Sequence, residues 1–226
     1  MAEHTASSDI LETIREVMYE ASAVAERKAR EVSISSIAWC LRAWAFKIDK
    51  NSDRSVSEKA LIGIEHHGWF NKLISSLLSK RGWRCTTEAK VQYGDLQGRV
   101  DIYCLNGQQR ILIEVKYTDH VKANNPFLHW YRKQIKYYTA IDAYDKGCCP
   151  VGVLLVTSFT GKIWIAEVVD RIDVEATLRE IEERSSILNR YLTEGVLPPK
   201  EKGAWCRFCR YADACENDIN PKSSKY

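Results

Sequence analysis

Between residues 58 and 80 apolar side chains recur at three- and four-residue spacing, with Phe70, Leu73, Ile74, Leu77 and Leu78 on one stripe and Gly82 closing the run. That spacing predicts a long helix. The same period at Ile10, Ile14, Val17, Ala21 and Val24 predicts a helix over 10–30. Ser33, Ser35 and Ser36 offer caps for a further helix carrying Ile37, Trp39, Cys40, Ala43, Trp44 and Phe46. Cys40 is therefore expected in mid-helix, and the polar run Asp49 to Ser57 ends the element.

At Arg84 the period changes to two. Cys85, Thr87, Ala89, Val91 and Tyr93 are expected on one face of a strand, and Val100, Ile102 and Cys104 on one face of the next. The run ILIEVKY makes a third strand. A helix from about Pro126 to Asp145 leads into VGVLLVTSF, an apolar run suited to a strand covered on both sides, and KIWIAEVVD makes a fifth strand. Asp173 caps a last long helix to about Thr193, and Pro198 and Pro199 break the chain ahead of WCRFCRYADAC. Three strands, a helix and two strands between flanking helices describe an α/β fold with a mixed central sheet. The length of 226 residues fits one domain, 1–226, with an appended lobe.

Composition narrows the function classes. Hydrophobic residues make up 45% of the chain and charged ones 28%, and no stretch approaches the roughly 18 apolar residues of a membrane span. A soluble protein with no membrane partner is expected. The start MAEHTASSDI lacks the basic flank and apolar run of a secretory signal, which sets a cytoplasmic expectation. A net charge of +3 does not announce a nucleic-acid partner, so that case rests on local clustering. No phosphate-cradling GxxxxGK[ST] loop is present, which argues against a nucleotide-driven motor.

The chemistry concentrates on the strands. Glu114 and Lys116 lie two apart and project from one face, while Val115 points the other way. Asp101 precedes the hairpin signal NGQQR; a two-residue Asn-Gly turn and a four-residue loop both leave it on the face of Glu114, and the longer loop sets the two directly opposite. Carboxylates about 5 Å apart repel by roughly 3 kcal/mol at an effective dielectric of about 20. A shared divalent cation removes that repulsion, and oxygen donors suit Mg²⁺ or Mn²⁺. A plain salt bridge between Glu114 and Lys116 is the structural alternative. Upstream, His66 and His67 can lean an imidazole into such a site. Downstream, Trp130, Gln134 and Tyr138 share a helical stripe beside Arg132, Lys133 and Lys136, a set suited to base stacking, to holding substrate or water, and to phosphate contact.

Of the eight cysteines, Cys85 and Cys104 alternate with apolar strand residues and read as core thiols, and a reducing cytosol disfavours a disulfide framework. Cys148 and Cys149 have no clear partner. Cys206, Cys209 and Cys215 form CxxCxxxxxC in a segment too poor in aliphatic residues to pack alone, and Cys40 is the best fourth thiolate. Zinc and an iron-sulfur cluster both satisfy four cysteines.

Cys40 with Arg42, the GxxxH of Gly63 to His67, Asp101, the EVK of Glu114 to Lys116, the QxxxY of Gln134 to Tyr138 and the terminal CxxCxxxxxC together resemble the CRISPR-associated Cas four nucleases, RecB-like proteins of the PD-(D/E)xK type. The resemblance spans about residues 33 to 215. It implies a restriction-endonuclease-like core over about 58–170 and a cluster lobe from about 33–50 and 196–216. It implies Cys40, Cys206, Cys209 and Cys215 as ligands of an iron-sulfur cluster, four-iron four-sulfur rather than two-iron two-sulfur. His67, Asp101 and Glu114 would be ligands of the catalytic cation, and Lys116, Gln134 and Tyr138 would complete the active centre. The implied activity is exonuclease cleavage of single-stranded DNA, 5′ to 3′, trimming spacer precursors for the Cas one and Cas two integrase in antiviral defence, in an assembly that can be oligomeric. Two alternatives stand beside it: a stand-alone RecB-like repair nuclease, and a zinc-stapled DNA-binding module whose carboxylates are structural.

Overall fold

The computed structural model describes residues 32–49, 58–118, 125–147, 150–158, 162–169 and 172–224. The helix expected over 10–30, Cys148, Cys149 and the side chain of His66 lie outside them. In chain order the elements are α1 (Ile34–Ala38), α2 (Leu41–Asp49), α3 (Glu58–Ser79), β1 (Arg84–Tyr93), β2 (Leu96–Asn106) and β3 (Gln109–Tyr117). They continue with α4 (Leu128–Lys146), β4 (Val151–Thr157), β5 (Ile163–Val169), α5 (Val174–Glu194) and α6 (Ala212–Glu216), with a 3₁₀ turn at Ala204–Phe208. No helix among the described residues is long and apolar enough to cross a membrane.

The five strands lie side by side in sequence order. β3 and β4 run parallel, joined by the α4 crossover, and every other neighbouring pair is antiparallel. Helices cover both faces. The larger core joins α1, α4 and α5 to Leu112, Leu154 and Val156, while Phe70 of α3 packs on Ile102, Ile113, Val115 and Leu155 on the other side. β4 is covered on both faces, which is why its sequence reads as an unbroken apolar run.

The structure corrects four local expectations. The helix expected to hold Cys40 is broken at Trp39, whose extended backbone (φ −96°, ψ 176°) ends α1, so Cys40 stands between α1 and α2. Arg184 of α5 makes the break tolerable, donating to the exposed carbonyls of Ile37 and Trp39, each at 2.6 Å. Cys85 and Cys104 are bonded to each other instead of lying in the core as thiols, because the β1–β2 register sets them directly opposite with Cα atoms 4.1 Å apart. The hairpin keeps the register of the expected four-residue loop but closes one pair further, with Asn106 paired to Gln109 around Gly107–Gln108 and Gly107 at φ +57°.

The fourth correction concerns the strand faces. Cys85, Ile102 and Cys104 pack beneath α3, whereas Ala89, Val91, Tyr93 and Val100 join the core on the opposite side. Gly98 and Tyr103 are five residues apart, yet both face α4, one against Tyr138 and the other within reach of Lys146. Both strands therefore change face at the position shared by Glu88 and Asp101, where Glu88 holds a left-handed φ of +53°. The β2–β3 pairing ends at Ile102↔Ile113, one residue before Asp101. The β1–β2 hairpin thus leaves the sheet beside its charged residues.

Close packing of α4 on the sheet depends on Gly152. A Cβ there would lie 2.5 Å from the Thr139 hydroxyl and 3.3 Å from the Val169 carbonyl. Gly152→Ala is expected to cost about 1–3 kcal/mol in denaturant unfolding. An unchanged midpoint would show that α4 is not pinned at this point.

Candidate metal centre and cysteine lobe

Continuing the β2–β3 register by one step puts Asp101 opposite Glu114, and the β1–β2 register puts Glu88 opposite Asp101. Three carboxylates therefore come from three adjacent strands at the point where the hairpin separates. Asp101 is 7% exposed and Glu114 1% exposed. The Val115 N–H donates to Asp101 Oδ2 at 2.6 Å and holds the carboxylate in the gap left by the lost pairing.

His67 reaches the same gap from α3, with Nε2 3.2 Å from Asp101 Oδ2 and the ring edge against Tyr117. Its Nδ1 faces the Asn71 amide nitrogen at 3.2 Å, one turn further along the helix, while the buried Asn71 Oδ1 has no partner. Turning that amide over would place Oδ1 against Nδ1, satisfy the orphaned oxygen and leave the Nε2 lone pair for a cation. Asn71 was not marked by the sequence reading; the signal available was an amide four residues after a helical histidine.

Donor atoms of His67, Glu88 and Asp101 lie within 4.8 Å of one another, the one such set of histidine, cysteine or acidic donors among the described residues. Glu88 is the second residue the sequence reading passed over. In an alternating strand it looks like an ordinary outward polar position. Its left-handed backbone is the kind of local strain that persists where surrounding structure enforces it.

Glu114 and Lys116 project toward α4. Lys116 Nζ is 2.5 Å from Glu114 Oε1, and the other oxygen, Oε2, is buried with no partner. Burial first, then the nearby Asp101 charge, pushes the Glu114 carboxyl up to about 8. Burial opposes a charged Lys116, but Glu114 and Asp101 outweigh it and hold the ammonium above its ordinary value. At His67 burial likewise disfavours the charge, and the Asp101 hydrogen bond overrides it in the upward direction. These directions describe excess negative charge short of a counter-ion. A divalent cation among the carboxylates fits that deficit, and a partner for Glu114 Oε2 would remove a buried orphan.

The α4 residues divide. Gln134 donates to the Tyr138 hydroxyl at 3.5 Å, and burial with the Glu114 charge raises the Tyr138 pKa. Gln134 borders the same cavity as Lys116. Trp130 is 2% exposed, so the expectation that it offers a face to bases is corrected: its side of α4 is core. Arg132 pairs with Glu167, and Lys133 and Lys136 pair with Glu180, so the basic residues expected to meet phosphates are engaged in ion pairs on the surface.

Cys40, Cys206, Cys209 and Cys215 all line one cavity of about 490 Å³. Arg42, which is 7% exposed, clasps the lobe through the carbonyls of Pro198 and Cys215 and the Asp218 carboxylate. Arg184 adds an ion pair to Glu201 at 2.6 Å. Burial raises the Cys40 thiol to about 11, and burial with the nearby Cys206 and Cys215 raises Cys209. Cys40 and Cys209 are thereby held toward their protonated form, and a bound metal group would reverse that.

Removing the Glu88 charge tests its place in the donor set. Glu88→Gln is expected to weaken Mn²⁺ binding at least about tenfold in calorimetric titration of the full chain. Unchanged affinity would exclude Glu88 from the site.

No family model matches the chain, and no curated protein matches it. Its fold is similar to that seen in the crystal structure of SSO0001, with a TM-score of 0.57 over 88% of this chain and 96% of that one, at 14% sequence identity. The likeness establishes an α/β architecture with a five-stranded mixed sheet and flanking helices.

Proposed function

We propose that the chain is a metal-dependent DNA nuclease of the Cas four type, cutting single strands from their ends. The observation that carries this reading is the convergence of His67, Glu88 and Asp101 beside the buried Glu114–Lys116 pair. His67, Glu88 and Asp101 would hold Mg²⁺ or Mn²⁺, with Glu114 completing the set through its unpartnered oxygen. Bound there, the cation supplies Lewis acidity and lowers the pKa of water. Asp101 is fixed by the Val115 amide, and His67 can be fixed by Asn71, so the donors need little rearrangement. Lys116 keeps its proton and presents positive charge where a phosphodiester accumulates negative charge. Gln134, hydrogen-bonded to Tyr138, borders the approach and can orient water or a phosphate oxygen.

The cysteine lobe would hold an iron-sulfur cluster, four-iron four-sulfur in this reading. A single zinc ion holds thiolates at about 2.3 Å, which places the sulfurs roughly 4 Å apart. A four-iron cluster spaces its thiolates more widely, and the resemblance in ordered motifs, with Cys40, Cys206, Cys209 and Cys215 lining one cavity, supports the cluster over zinc. Arg42 and Arg184 would keep the lobe's chain ends in place around it.

In biology we assign the activity to trimming of spacer precursors in CRISPR adaptation, in the cytoplasm, with the Cas one and Cas two integrase as partner. The resemblance in ordered motifs supports that assignment.

Asp101→Ala and Glu114→Ala are each expected to lower Mn²⁺-dependent cleavage of end-labelled single-stranded DNA by roughly a thousandfold. Full activity in either variant would remove the centre. Products shortened from the 5′ end are expected, in preparations containing iron and acid-labile sulfide. Colourless protein with stoichiometric zinc would replace the cluster by a zinc staple.

A further inference from the structure

The cavity that holds the cysteines does not end at them. It runs from Cys40, Cys206, Cys209 and Cys215 to Lys116 and Gln134 at the candidate centre. Trp39, Phe127 and Phe208 line it and belong to a connected series of rings that Tyr131, just behind the lining, joins to Lys116. Lys116 lies over Tyr131, Tyr131 meets Trp39, Trp39 stacks on Phe127 at 5.8 Å with planes 11° apart, and Phe127 meets Phe208 at 5.9 Å. The inner rings are at least partly covered by one another, but Phe208 at the outer end is 62% exposed.

Phe208 stands between two cluster cysteines in Cys206-Arg207-Phe208-Cys209-Arg210, and Arg207 and Arg210 are both exposed. Among the described residues neither arginine has a carboxylate partner, unlike the ion-paired cations of α4. Lys47 and Lys202 also border the cavity. An exposed ring flanked by two guanidinium groups that lack carboxylate partners among the described residues, one lying over the Phe208 ring and the other over Tyr211, at the mouth of an aromatic cavity bordered by several lysines matches the chemistry of an unpaired polynucleotide strand, whose bases stack and whose phosphates attract arginine. A duplex keeps its base faces covered and cannot use the ring in this way.

We propose that the cysteine lobe is a substrate wall as well as a clasp: single-stranded nucleic acid enters over Phe208, which stacks a base while Arg207 and Arg210 hold adjoining phosphates, and the strand follows the aromatic wall to Lys116. This rests on the nuclease reading above and gives it a physical basis for selecting single strands without reading sequence. It also moves the stacking surface from α4, where Trp130 is buried, to the lobe held by the cysteines.

The experiment is equilibrium binding of a fluorescein-labelled oligothymidylate of about 20 nucleotides, and of its duplex with oligoadenylate, to the full chain in a chelator that prevents cleavage. Phe208→Ala is expected to weaken single-strand binding by about tenfold and duplex binding by less than about twofold, with Phe208→Trp restoring single-strand affinity. Visible absorbance and circular dichroism matching the parent show that the lobe is intact in both variants. Undiminished single-strand binding by Phe208→Ala overturns the wall and leaves the nuclease reading standing. An equal loss on both substrates, or no recovery with tryptophan, overturns stacking as the cause. Failure of the parent protein to bind either oligonucleotide defeats the nucleic-acid reading itself.

Discussion

The charge gathered where β2 leaves β3 is the constraint around which the rest of the molecule is arranged. Glu88, Asp101 and Glu114 come from three neighbouring strands, and two of the three are almost fully buried. Carboxylates so placed repel one another and lose hydration, and the single ammonium of Lys116 is insufficient compensation, as the raised Glu114 pKa indicates. An apolar sheet tolerates this arrangement because the hairpin separates at that point. The gap admits His67 from α3 on one side and opens toward α4 on the other.

The same separation links the two ends of the molecule. Lys116, paired with Glu114, borders the cavity that Gln134 and the cysteines also line. The walls of that cavity depend on buried arginine contacts: Arg184 satisfies the carbonyls freed by the α1–α2 break, and Arg42 ties α2 to the segment carrying Cys215. Removing one partner from such a buried pair leaves a charge with neither water nor counter-ion, so the clasps favour a defined lobe geometry. The cysteines and Lys116 then border one cavity, which the proposed strand path would follow.

Much of the architecture was legible because periodicity reports burial directly. The long helix ending before Gly82, the strand at Val151–Thr157 that is covered on both faces beyond its first residues, and the helix capped by Asp173 all follow from local patterns. Asp101 and Glu114 could be set opposite one another because a hairpin register has few options. The change of face at Glu88 could not be read. Alternation continues unbroken through it, and the left-handed backbone depends on long-range separation of the strands. Glu88 therefore looked like a solvent position. Trp130 was placed on the wrong surface for a related reason: α4 is covered on several sides, and periodicity alone cannot say which stripe meets the core. The break at Trp39 depends on Arg184, more than a hundred residues away, and has no local signal.

The central claim is that His67, Glu88 and Asp101 form one cation site. Anomalous diffraction from crystals of the full chain soaked in Mn²⁺ tests it most directly. A peak within about 2.5 Å of His67 Nε2 and of oxygens from Glu88 and Asp101 is the expected result. A fully occupied Mn²⁺ peak elsewhere, or saturated crystals with no peak among these three residues, would contradict it.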